Sequence, residues 1–124
     1  ALDRQVTFAG QRSGAALAEI LNQHRVLVVP SRWAEPFGIV ALEGIACGCV
    51  VVGSEKGGLK EAIGSCGVTF ENENVSALAG QLKRLLNDPN SQANLRQQAA
   101  EHLATFQADA VAAAYLRLMR KMLA

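Results

Sequence analysis

The residues best suited to chemistry lie together in the stretch Ser31-Arg32-Trp33-Ala34-Glu35-Pro36-Phe37-Gly38-Ile39-Val40-Ala41-Leu42-Glu43. Pro36 suits the first turn of a helix, where its missing N–H would have no partner, and Gly38 lets the backbone come close to a ligand. A helix beginning here leaves its first amides, around Phe37 to Val40, without intrahelical acceptors. Together with the positive end of the helix dipole they form an anion site that fits a phosphate or diphosphate. Glu43 is the only charged residue between Pro36 and Ser54. Facing a cleft, its carboxylate could take both hydroxyl hydrogens of a ribose diol, each such bond being worth about 1.5–3 kcal/mol. Facing solvent, it is an ordinary helix residue. Glu35 stands just before the helix start, where its charge complements the dipole for about 0.3–1 kcal/mol. Its other reading places it beside a polyol, accepting ring hydroxyls and stabilising positive charge that develops at a nearby carbon. Two carboxylates around an anion-binding helix start suit a ligand that is both phosphorylated and rich in hydroxyls, such as a nucleotide sugar.

The remaining polar residues carry less. His24 and His102 have no Cys, Ser or carboxylate placed to make a catalytic pair. Glu55, Lys56, Lys60 and Glu61 flank the Gly57-Gly58 turn and read as a solvated charged loop. Arg12 could touch a nucleobase, but a surface arginine explains it better. Arg117, Arg120 and Lys121 suit the C-terminal end of a helix and need no ligand. Three cysteines, Cys47, Cys49 and Cys66, lack metal-like spacing to any histidine or further cysteine. They are expected to be reduced, buried and inert, as in a reducing compartment, and no metal site or cofactor is expected.

The elements that must position these residues alternate along the chain. Val6-Thr7-Phe8 reads as a short strand, and Ser13 offers an N-cap to a helix carrying Leu17, Ile20 and Leu21. Val26-Leu27-Val28-Val29, stopped by Pro30, and Cys49-Val50-Val51-Val52, ended by Gly53, are continuous apolar runs suited to strands buried on both faces. Residues 38–47 and 59–63 read as helices between them and after, and Val68-Thr69-Phe70 as a last, weaker strand. Beyond it the pattern is helical. One helix carries Val75, Leu78, Ala79, Leu82, Leu85 and Leu86, with Asn74 as N-cap and Asp88-Pro89 as the stop. Another covers about 91–104, and a third, about 109–122, places Val111, Tyr115, Leu118, Met119 and Met122 on one stripe as core or interface filler. The pattern predicts an α/β fold: a Rossmann-like, doubly wound, wholly parallel sheet with four strands, in one domain over 1–124 whose last helices, about 91–122, form a C-terminal extension. Ligands of such sheets bind at the carboxyl ends of the strands, which here means the loops 10–13, 30–38, 53–59 and the turn after Phe70.

Composition narrows the function classes. Half of the 124 residues are apolar and 19% are charged, which excludes disorder. Twelve Lys and Arg against eleven Asp and Glu give a net charge of +1, too balanced for a nucleic-acid partner. No apolar run is long enough to span a membrane, and the first twenty residues lack a signal-peptide layout, so a cytoplasmic location is expected. No G-x-G-x-x-G or Walker A sequence is present, which argues against a standard dinucleotide fold or a P-loop NTPase.

The stretch from Val28 through Glu61 resembles the donor-site signature of retaining glycosyltransferases of family 4 with the GT-B fold. The resemblance rests on Glu35 and Glu43 with seven residues between them, the Pro36-Phe37-Gly38 loop, the Ala46-Cys47-Gly48 turn into a valine-rich strand, and Gly57-Gly58-Leu59-Lys60-Glu61. The leucine-rich helix ending in Asn87-Asp88-Pro89 is also similar to the family's. The resemblance implies a Rossmann-like C-terminal half that binds a nucleoside-diphosphate sugar without a metal. Residues matching Glu35 then contact the transferred sugar as the catalytic carboxylate, in a positioning and electrostatic role, while those matching Glu43 bind the ribose. Pro36, Phe37, Gly38, Ile39, Val40, Gly57 and Gly58 surround the sugar and diphosphate. It further implies transfer with retention of configuration to an unidentified acceptor, and an N-terminal acceptor domain supplied in cis or in trans. The chain opens at Ala1 and matches the family only from its donor side, so it is expected to be a piece of a longer protein and inactive alone. The competing expectations are a non-catalytic nucleotide-sugar-binding module that needs a separate acceptor-domain chain, and an α/β domain with no ligand.

Overall fold

The computed structural model describes residues 2–124. A 3-10 turn, Leu2–Arg4, is followed by an extended segment and then by helix α1, Gly14–Asn22. The first strand, β1 (Val26–Val29), leads through the Pro30–Gly38 loop into α2 (Ile39–Ala46). The second, β2 (Val50–Ser54), leads into α3 (Leu59–Ile63) and a 3-10 turn, Gly64–Cys66, before β3 (Gly67–Phe70). Four helices follow: α4 (Val75–Leu86), α5 (Pro89–Gln97), α6 (Ala99–Ala104) and α7 (Ala108–Leu123).

The sheet is parallel throughout, in the order β1-β2-β3, with Val28 beside Val52 and Val52 beside Val68. Each crossover carries a helix, as parallel neighbours require. The central strand is buried along its whole length, which is why it reads as an unbroken apolar run. Its two faces feed two cores. Val51 packs with Val29, Ala41, Ile45, Leu59, Ile63 and Cys66 under α2, α3 and α6. Val50 and Val52 pack with Phe70 and Leu85 under α4 and α5. The fold is thus the doubly wound, Rossmann-like arrangement expected, with helices covering both sides of the sheet.

Several expectations change in detail. Val6-Thr7-Phe8 is not a strand: the segment pairs with nothing among the described residues, and Phe8 is 95% exposed. Three residues of high β propensity form a strand only when paired in a ladder and packed on a buried face, and this segment has neither. Ser13 takes the N-cap position of α1 with an extended backbone, but its side chain makes no capping bond. Asn74 does cap α4, its Oδ1 accepting from the Ala77 N–H at 2.9 Å. The face that α4 buries is Ala77, Leu78, Leu82 and Leu85, while Val75 and Leu86 turn outward. Asp88-Pro89 both ends α4 and opens α5, with Asp88 accepting from the Ser91 N–H and Pro89 in the first turn. The helix expected over 91–104 is broken at Gln98 into α5 and α6.

The stripe on α7 is present but covers no core. None of the sixteen residues of α7 is buried, and Tyr115, Leu118, Met119 and Met122 are all more than half exposed. Helical periodicity identifies an apolar face without saying what it meets. A lone helix of this length is near the limit of stability in water. In the 124-residue chain, amides of α7 are therefore expected to exchange with solvent about a hundredfold or more faster than those of β2, read residue by residue by NMR. Equal protection would mean that α7 is held as firmly as the core.

Candidate functional site: the carboxyl-end loops

The loops leaving the carboxyl ends of β1, β2 and β3 come together and build one surface. From β1, the chain runs out through Pro30 and Ser31 to Glu35, which pairs with Gly57 of the β2 loop in an isolated parallel bridge. The Gly58 N–H donates to the Glu35 carbonyl at 2.6 Å. The approach is so close that a Cβ on Gly57 would lie 2.7 Å from the Glu35 nitrogen and 2.8 Å from the Ala34 carbonyl carbon. Glycine at this turn is what lets the two loops touch.

Beyond Pro36 the chain turns through Gly38, whose φ of +94° puts it in the left-handed region, and α2 starts at Ile39. Pro36 therefore precedes the helix instead of occupying its first turn, because the left-handed residue resets the chain direction two positions later. The amides of Phe37, Gly38, Ile39 and Val40 donate to no acceptor among the described residues, whereas the Ala41 N–H reaches the Gly38 carbonyl at 3.0 Å. Four consecutive N–H groups thus lack a hydrogen-bond partner where the positive end of an eight-residue helix favours negative charge. Phe37 is pinned from behind by Phe106, with ring centroids 5.4 Å apart. His102, edge-on to Phe106, anchors that ring from α6 by bonding the Ala62 carbonyl at 2.7 Å.

The Glu35 side chain is half-buried and accepts a hydrogen bond from the Ser31 hydroxyl at 2.6 Å. One carboxylate oxygen is thus already held, two residues before the free amides begin, and the other has no protein partner. Glu43 lies one turn into α2, exposed, with no hydrogen bond or ion pair from the described residues. It lines a hollow of about 220 Å³ between α1 and α2, with Gly14, Leu17, Ala18 and Leu21 on the far wall. Glu35 lines neither that hollow nor the second one that Glu43 borders with Leu103 and Phe106, so the two carboxylates share no hollow. Gly57 and Gly58 back the Glu35 segment, as the bridge above requires.

The other polar candidates have local roles. His24 Nδ1 bonds the Ile20 carbonyl, Arg12 bonds the neighbouring Gln11 carbonyl, and Lys56 and Lys60 are exposed. Cys49 and Cys66 are buried, and burial pushes both thiols above their ordinary pKa, so neither is an activated nucleophile. Cys47 is only half-buried, unlike the expectation for all three. Among the described residues no group of histidines, cysteines and carboxylates is placed to hold a metal ion, and no helix is long and apolar enough to cross a membrane.

Two features of the surface had no signal in the sequence. Arg32 and Glu73, 41 residues apart, form an exposed ion pair at 3.1 Å, with Glu73 at a φ of +64°. Asn72, buried in the turn after β3, donates from Nδ2 to the Ser31 carbonyl and accepts at Oδ1 from the Lys56 N–H, both at 3.0 Å. It ties all three strand ends together. Only an Asn-rich turn following a strand could have drawn attention to it.

The geometry can be set beside known proteins. A family model described as glycosyl transferases group 1 matches residues 1–102. D-inositol 3-phosphate glycosyltransferase of Rhodococcus erythropolis is 34% identical over 119 residues, covering 94% of this chain and 27% of the relative. Glycogen synthase of Mycobacterium tuberculosis is 39% identical over 88 residues, covering 69% of this chain and 21% of the relative. Among solved structures, sucrose-phosphate synthase from Thermosynechococcus elongatus superposes with a TM-score of 0.81 at 35% identity, covering 98% of this chain and 31% of that one. The chain thus spans less than a third of the length of each of these relatives. With four-fifths of the chain matched by the model and relatives of this identity, it belongs to the group 1 glycosyl transferases.

Proposed function

We propose that the chain is a single donor-binding domain of a retaining GT-B hexosyltransferase, which moves a sugar from a nucleoside diphosphate to an acceptor. The observation that carries this reading is the row of unpartnered amides from Phe37 to Val40 beside the half-held carboxylate of Glu35. The amides, with Gly57 and Gly58 behind the loop, accept the diphosphate and sugar. Glu35 contacts hydroxyls of the transferred hexose, and Glu43 takes the ribose diol. As the sugar–phosphate bond lengthens, negative charge grows on the leaving diphosphate and the helix-start amides stabilise it. Glu35 stabilises the opposite charge on an oxocarbenium-like anomeric carbon. No metal is needed for either step. The reading includes a cytoplasmic location, which the free thiols of Cys47, Cys49 and Cys66 suit.

The acceptor side comes from further polypeptide, in cis or in trans. The uncovered apolar face of α7 favours a second reading, in which this chain is a nucleotide-sugar-binding subunit that works only with a separate acceptor-domain chain. Donor binding by this chain alone is expected to be no tighter than about 0.1–1 mM, equivalent to about 4–5.5 kcal/mol.

Titration of the chain with UDP, GDP and ADP, followed by amide NMR, tests the reading. At least one nucleotide is expected to shift the Phe37 to Val40 resonances in the millimolar range, with the same isotherm in the presence of EDTA. Resonances that stay in place with all three would remove the donor site, and binding abolished by EDTA would remove the metal-free mechanism.

A further inference from the structure

We infer that Asn72 is a positioning residue that presets the Glu35 carboxylate for the sugar of the donor. The inference rests on the reading of Glu35 as the sugar-contacting group. Asn72 is 8% exposed and spends both halves of its amide on neighbouring loops. Its Nδ2 group holds the carbonyl of Ser31, and the hydroxyl of that same Ser31 is the donor to Glu35 Oε1. Its Oδ1 holds the N–H of Lys56, the residue before the Gly57-Gly58 turn that clasps the Glu35 backbone. Glu35 is therefore reached from two sides through one buried side chain: from the β1 loop through its carboxylate, from the β2 loop through its main chain.

This arrangement has a consequence for specificity. A carboxylate on a loop must give up rotamer freedom to meet ring hydroxyls, and a hydrogen bond made in advance removes part of that cost. With one oxygen fixed, the second has no protein partner and stays available to a ligand hydroxyl. Asn72 lies 37 positions along the chain from Glu35 and makes no hydrogen bond to it, so its influence is carried by Ser31 and Lys56. The benefit falls on the sugar alone. The nucleoside diphosphate, held by the amides and Glu43, gains nothing from a preset Glu35.

The test compares the parent with Asn72→Asp, Ser31→Ala and the double variant. Asn72→Asp keeps an acceptor for the Lys56 N–H and loses the donor to Ser31. Two readouts are taken: the carboxyl ¹³C resonance of Glu35 in the free chain, and the ratio of dissociation constants for UDP against UDP-glucose, GDP against GDP-mannose and ADP against ADP-glucose. In the nucleotide pair that binds, each single variant is expected to lose about three- to tenfold of the sugar's contribution, with bare nucleotide affinity unchanged. The double variant is expected to lose no more than Ser31→Ala does, because both act through one bond. Both single variants are expected to move the Glu35 resonance in the same direction. Additive losses, or equal losses for nucleotide and nucleotide sugar, would reduce Asn72 to a general loop staple. If the parent gains nothing from the sugar, the role of Glu35 itself falls, and the ligand-free resonance decides whether Asn72 controls its carboxylate. If the new carboxylate of Asn72→Asp prevents folding, Asn72→Ala, which also frees the Lys56 N–H, is judged by the Glu35 resonance and by the sugar-selective loss, and an unmoved resonance or an equal loss for nucleotide and nucleotide sugar overturns the inference.

Discussion

Gly57→Ala is expected to lower the stability of the chain by about 2–5 kcal/mol, with two costs combining at one methyl group. The first is conformational: φ at Gly57 is +76°, where an L residue pays about 1–2 kcal/mol. The second is steric. The new Cβ would fall on the Glu35 carbonyl oxygen and within 2.8 Å of Ala34 and Glu35 backbone atoms, and a backbone, unlike a long side chain, cannot swing aside. Overpacking of this kind costs about 1–3 kcal/mol and would pull the Gly58 N–H away from the Glu35 carbonyl. Urea unfolding measures the loss as a lower midpoint at unchanged slope. The same substitution at Gly80 provides the contrast. That residue lies inside α4 with no atom within 4 Å of an added Cβ, so alanine there is expected to add about 0.5–1 kcal/mol. A Gly57→Ala midpoint matching the parent's would show that the Glu35 loop moves freely and that its clasp by the β2 loop is not structural.

What the sequence reveals divides along the range of the interactions involved. Val50–Val52 is legible as a buried strand because burial on both faces leaves an unbroken apolar run, a local property, whereas Val26–Val29 shows the same run at the sheet edge, where only Val29 is buried. The same local signal misleads at Val6-Thr7-Phe8, where composition is right for a strand but pairing, a property of the whole sheet, is absent. On α7 the stripe itself is correctly read, while its covering is not, since periodicity says nothing of a partner surface. The site follows the same division. The Glu35–Gly38 segment and the helix after it stand in one stretch, and the sequence places the free amides correctly even though Pro36 lies outside the helix. Asn72, Arg32 and Glu73 act across about forty residues, through single polar contacts that leave no period and no motif. A buried asparagine in a turn looks like any turn asparagine until the loops it joins are seen to meet.

Removing the Glu43 carboxylate as Glu43→Ala is expected to weaken nucleoside diphosphate binding by about 10- to 100-fold, the equivalent of about 1.5–3 kcal/mol for a charged hydrogen bond lost from a ligand diol. The fold should not change. The side chain is exposed, has no hydrogen bond or ion pair among the described residues, and sits in a helix interior where alanine is the better helix former. An unchanged or slightly raised melting temperature beside a weakened isotherm therefore isolates a ligand contact from a structural one. The hollow that Glu43 shares with Gly14, Leu17, Ala18 and Leu21 supplies apolar wall but no competing donor for the carboxylate, so the ribose hydroxyls are the groups that stand to lose. The corresponding deoxyribose diphosphate sharpens the measurement. With one hydroxyl gone, the parent should bind it more weakly than the ribonucleotide, while Glu43→Ala should bind both alike. Equal affinity of variant and parent for the ribonucleotide would take Glu43 out of the site and leave it as the solvent-facing helix residue that its exposure alone would suggest.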